Sequence, residues 1–109
     1  MDKDLLKYFE RQEFKKDLRF QLEKDIEGAK AALHSFEMDS FEQIYNLLLP
    51  LIEECMKDST RWMRIINRVD LNERQLKNIS RMEGSYAEKI TKAILMRVFQ
   101  KVALRWSNK

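Results

Sequence analysis

The sequence predicts an all-α fold, a single-domain bundle of four to five helices over residues 1–109 with the first and last helices long. Three observations carry this. Apolar residues recur at helical spacing along nearly the whole chain. Two glycines and one proline are too little turn material for a sheet protein. Three Ser/Asp-x-x-Gln/Glu segments, each a helix-start signature, divide the chain into elements. A chain of 109 residues fits one domain that buries roughly two-thirds of its unfolded surface.

In the first element Phe14, Leu18, Leu22, Ile26, Ala29, Ala32, Leu33 and Phe36 project onto one face, about a third of a helix circumference. This predicts a long amphipathic helix to about residue 37. Leu5, Leu6, Phe9 and Phe20 project onto nearly the opposite side. Either the chain breaks near Arg11–Glu13, or one helix has two apolar faces and the second awaits a partner, often another copy. Gly28 lies beside Ala29, Ala31 and Ala32 in a small-residue patch that admits a close neighbour, at about 1 kcal/mol for a glycine within a helix.

Ser40-Phe-Glu-Gln43 opens the second helix, whose stripe of Phe41, Ile44, Tyr45, Leu48, Leu51, Ile52 and Cys55 passes straight through Pro50. Proline removes the bond to the Asn46 carbonyl, so a kink is expected there and not a stop. Asp58 or Ser59 caps a third helix that turns Trp62, Ile65, Ile66 and Val69 inward. Asp70-Leu-Asn-Glu73 opens a short fourth helix burying Leu76, Ile79 and Met82, and Glu83-Gly84 ends it. Ser85-Tyr-Ala-Glu88 starts the last helix, which runs to about Trp106. Tyr86, Ile90, Ala93 and Ile94 share one of its faces, and Leu95, Phe99, Val102 and Trp106 share another. Such a helix is either central in the bundle or bridges to a neighbouring chain.

Composition narrows the function classes. Charged residues at 36% and apolar ones at 44% are a foldable balance. No apolar run has membrane-spanning length, the Met1-Asp2-Lys3-Asp4 start has no apolar signal core, and the single Cys55 fits a reducing compartment. A cytoplasmic location is the expectation, with no membrane contact. A surface-lying amphipathic helix over residues 86–109 is disfavoured because its apolar residues divide between two faces.

Charge is unevenly distributed. Residues 1–37 carry 8 Lys and Arg against 9 Asp and Glu, residues 38–58 carry 1 against 5, and residues 59–109 carry 12 against 4. The basic residues of the last segment form trios at helical spacing: Arg61/Arg64/Arg68, Arg74/Lys77/Arg81 and Arg97/Lys101/Arg105. Each trio is a stripe that can face phosphate, an acidic protein surface or water, and solvation or internal pairing is the commoner fate. A helix-turn-helix with Gly84 in its turn fits in part. Glu83 and Ser85 stand where apolar residues usually flank the glycine, and the reader helix would be apolar on two sides.

Catalytic chemistry finds little support. The lone His34 has no Glu-x-x-His partner, Cys55 lies on an inward stripe, and no Gly-rich phosphate loop, nucleophile elbow or metal-spaced Cys/His set occurs. Trp62 and Trp106 stand beside arginines and could stack on a base, but core or interface is their more ordinary place.

The sequence therefore leads to a non-enzymatic helical interaction or accessory protein, self-associating as a homodimer through Leu5, Leu6, Phe9, Phe20, Leu95, Phe99, Val102 and Trp106. It expects no cofactor, no metal and no small-molecule substrate. The alternative is a DNA- or RNA-binding regulator using Arg61, Arg64, Arg68, Arg74, Lys77, Arg81, Lys89 and Lys92 of the basic C-terminal half, residues 59–109.

Overall fold

A computed structural model describes residues 11–33 and 40–107. These residues form helices α1 (Gln12–Asp25), α2 (Ala29–Leu33), α3 (Phe41–Cys55), α4 (Ser59–Val69), α5 (Glu73–Ile79) and α6 (Tyr86–Ser107), and no strand occurs among them. The radius of gyration of 13.3 Å is that of a single packed domain of this length.

The two-faced last helix is the centre of the bundle. α6 packs against α1, α3, α4 and α5, and buries Ile90, Thr91, Ala93, Ile94, Leu95, Val98, Phe99, Val102 and Ala103. These residues cover more than half of its circumference, which is what a helix with several packing neighbours requires, and Tyr86, Lys92 and Leu104 stay exposed. Phe14 of α1 is fully buried against it, with ring centroids 5.2 Å from Phe99 and 5.7 Å from Trp106.

The long first helix is interrupted. Gly28 adopts φ +94°, a left-handed conformation that side chains strain against, and the chain turns at Ile26–Gly28. A β-carbon at Gly28 would also stand 2.9 Å from Leu51 Cδ1, so the glycine admits α3 closely as well as turning the chain. Ile26, Ala29 and Leu33 stay buried because α1 and α2 cover the same core from two directions. Phe36 and His34 lie outside the described residues.

Local signals act largely as read. Ser40 Oγ accepts the Gln43 N–H, and Asp58 Oδ1 accepts those of Thr60 and Arg61. Ser85 and Glu88 form a reciprocal capping box, whose Ser85 N–H holds the Glu88 carboxyl below its ordinary range. α3 runs through Pro50, which is exposed, so water can reach the carbonyl that proline leaves unbonded. The box expected at Asp70–Glu73 sits two residues later. Asn72 and Gln75 cap each other reciprocally, because Asp70 has instead taken the left-handed position that closes α4, at φ +61°. Leu76, expected inside, is exposed; the short α5 turns Ile79 and Gln75 toward α6.

A polar seam sets how α1 lies on α6. Asp17, Gln21 and Asp25 are four residues apart on α1, and they meet Trp106, Arg105 and Lys101 in antiparallel order. Trp106 Nε1 donates to Asp17 Oδ2 at 2.8 Å, Arg105 to Gln21 Oε1 at 2.9 Å, and Lys101 Nζ to Asp25 Oδ2 at 2.9 Å. Asp25 is only 3% exposed, and its other oxygen accepts from Gln21 Nε2 at 3.0 Å. Removing one partner of such a pair leaves a buried charge uncompensated. Lys101→Met is expected to cost about 3 kcal/mol in urea unfolding. Replacing the pair together by Asp25→Leu/Lys101→Met should recover most of that loss, and equal losses in the two variants would refute the seam's role.

Candidate functional site

Sequence spacing drew three basic stripes, and the structure gives them different fates. The α6 stripe is engaged inside the molecule. Arg97 Nε donates to the Asp70 carbonyl at 3.1 Å, with its guanidinium 3.6 Å from the Asp70 carboxylate. Lys101 and Arg105 belong to the seam. One of the three stripes therefore stitches α6 to α1 and to the corner after α4.

The α4 and α5 stripes face outward. Between Ser59 and Arg81 the chain carries six cations, Arg61, Arg64, Arg68, Arg74, Lys77 and Arg81, against Asp70 and Glu73. Arg64 lies 3.3 Å from Glu27 Oε2; both side chains are partly exposed, although that oxygen is itself shielded from solvent. Arg68, Arg74, Lys77 and Arg81 are exposed, Arg61 is half-buried, and none of these five makes an ion pair among the described residues. Arg61 lies close enough to Cys55 to favour its thiolate. Lys89 is half-buried, and Lys92 is turned to α3, its amine 5.5 Å from the centre of the Tyr45 ring. Lys92 thus stands apart from the α4–α5 surface, above a shallow hollow of about 280 Å³ lined by Phe41, Glu42, Tyr45 and Asn46. Burial, with Glu88 and Glu53 nearby, pushes the Tyr45 phenol up, so the ring is a neutral platform for the ammonium.

Arg68 connects this face to a second feature. It lines an open cleft of about 550 Å³ together with Gln21, Lys24, Asp25 and Lys101, drawn from α1, α4 and α6. Sequence reasoning passed over Lys24 and the cleft. The available signal was the polar row Asp17/Gln21/Asp25 beside the apolar stripe of α1, matched by Lys101/Arg105 on α6.

The expected self-association surface is corrected in part. Leu95, Phe99 and Val102 are at most 3% exposed and belong to the core of one chain, where α6 packs against α1 and α3 and Phe14 of α1 meets Phe99. Trp106 is half-buried against Phe14 with its N–H bonded to Asp17, and the Arg11 guanidinium lies 5.8 Å from its ring centre. Phe20 is 64% exposed on the outer side of α1. Leu5, Leu6 and Phe9 lie outside the described residues. Of the partial helix-turn-helix, Tyr86 and Lys92 are exposed and Lys89 is half-buried at the start of α6, a helix that also packs against α1, α3, α4 and α5.

Cys55 is fully buried at the end of α3, its thiol 3.9 Å from the Glu27 carbonyl, and burial pushes its pKa up. Among the described residues, no group of three or more His, Cys, Asp or Glu is placed to hold a metal ion, and no helix is long and apolar enough to cross a membrane.

The geometry defines a class, an all-α single-domain protein with a cationic outer face and an ionic seam inside. In comparisons with known proteins, no family model, no curated protein and no solved structure matches the chain.

The buried, protonated Cys55 thiol should be inert to a disulfide-exchange reagent in the native protein at pH 7 and react fully in denaturant. Rapid native reaction would show that the α3–α4 corner opens.

Proposed function

We propose that this chain is a non-enzymatic binding module for polyanions, engaging the phosphates of DNA or RNA through the outer faces of α4 and α5. One observation carries the reading. Arg68, Arg74, Lys77 and Arg81 stand exposed without ion pairs among the described residues, whereas the α6 stripe of the same spacing is consumed internally. A protein selected only for stability has little reason to leave one set of cations uncompensated beside another set that is matched. Phosphates would be bound by charge and hydrogen bonding, with counterion release supplying much of the free energy. Base-edge readers are also present on α5, since Arg74, Gln75, Lys77 and Asn78 have the donors and acceptors for it. Gln75 is already held by Asn72 and Gln100, which leaves Arg74, Lys77 and Asn78 for contact.

Fluorescence anisotropy of a labelled duplex and a labelled single-stranded RNA, titrated at several salt concentrations, tests this. Affinity should fall steeply with salt, and Arg74→Gln/Lys77→Gln should lower the duplex log–log slope by about 0.9 for each phosphate that is no longer neutralised. Helicity should not change. Absence of binding at low salt, or the same slope in the variant, would sink the proposal.

A second reading, self-association, is favoured by Phe20, a large aromatic left on the outer side of α1. It predicts a dimer in sedimentation velocity that Phe20→Glu dissociates. A wild-type monomer at high concentration removes it.

A further inference from the structure

We infer that the cleft between α1, α4 and α6 is a phosphate seat, built by Lys24, Arg68 and Lys101 around a carboxylate that is already satisfied. This deepens the polyanion reading and rests on it for the source of the phosphate, while its chemistry follows from the cleft alone. The cleft holds about 550 Å³ and has three cations and one acid in its walls. The acid pairs with Lys101 and leaves the charges of Lys24 and Arg68 uncompensated. Asp25 is buried, with Oδ2 accepting from Lys101 at 2.9 Å and Oδ1 from Gln21 at 3.0 Å.

Lys101 is held but not exhausted. Its ammonium has three protons, and two of them go to Asp25 and to the Arg68 carbonyl, 2.8 Å away. The third remains for a ligand. The bond to the Arg68 carbonyl also fixes that residue's backbone beside the ammonium, so the guanidinium is launched from a rigid point on the rim. Lys24 and Arg68 are exposed and make no ion pair among the described residues.

Donors converging from three helices suit a ligand with several acceptor oxygens on one centre. Phosphate offers that and carries the charge to balance two uncommitted cations. An open cleft of this size accommodates more than a single phosphate, which fits either a free oligophosphate or consecutive phosphates of a nucleic-acid backbone.

Isothermal titration calorimetry of the full chain with inorganic tripolyphosphate tests the seat. One equivalent is expected to bind at low salt. Lys24→Gln/Arg68→Gln changes only exposed side chains and should weaken binding about tenfold or more, whereas Arg74→Gln/Lys77→Gln should leave it within about twofold of wild type. No binding, or equal weakening in the two double variants, would overturn the seat. A labelled oligonucleotide then separates the two sources. Its displacement by tripolyphosphate supports the seat and identifies a backbone phosphate as its occupant. Tripolyphosphate binding without oligonucleotide binding supports the seat with a free oligophosphate, and removes the nucleic-acid reading instead.

Discussion

The bond from Lys101 to Asp25 is the interaction on which the rest of the arrangement depends. It joins α1 to α6 across 76 residues of chain, and it is the most buried ion pair among the described residues. Apolar packing alone fixes α6 at the centre but tolerates a slide of one helical turn, since Phe, Leu, Ile and Val fill space without strong direction. An ionised pair inside the protein tolerates no such slide, because an unpaired Asp25 would be stranded away from water. Gln21–Arg105 and Asp17–Trp106 repeat the same register one and two turns further along α1. The pair contributes definition of a single alignment more than net stability.

That alignment also decides where charge remains. Because α6 commits Lys101 and Arg105 to α1, and Arg97 to the corner after α4, the helix carries basic residues without presenting a basic face. α4 and α5 lie on the outside of α6, and most of their cations meet no acidic partner among the described residues. The excess of positive charge over residues 59–109 is thereby concentrated onto two short helices and one cleft. Internal pairing and external binding are not rival explanations of the basic half; pairing prevails on α6 and exposed, unpaired cations on α4 and α5, with Lys101 at the border between them.

The limits of sequence reading follow from the same physics. Helix class, the caps at Ser40, Asp58 and Ser85, and the inward stripes of α1 and α3 depend on neighbours within a few residues, and these were legible. Gly28 reads in the sequence as a costly residue within a helix, because periodicity continues unbroken through it; the turn shows only once α2 is seen to fold onto α3. At Asp70 two capping patterns overlap; Asp70 closes α4 while Asn72 and Gln75 open α5, and a bond from Arg97, 27 residues away, holds the Asp70 carbonyl. The second apolar face of α6 had two explanations of equal periodicity, and tertiary packing selected the internal one for Leu95, Phe99 and Val102. The cleft left only a partial trace in the polar row of α1, since its walls come from three elements far apart in the chain.

A central helix that is also the last described one places a condition on the order of events during synthesis. Until α6 has left the ribosome, α1 has no Phe99 for Phe14 and no Lys101 for Asp25, and the inner faces of α1 and α3 can cover each other only in part. The nascent chain must therefore carry a sizeable apolar surface while α1 to α5 are synthesised, the condition under which chaperones bind and premature termination products aggregate. Folding of these elements closes on the arrival of α6, which acts as their keystone.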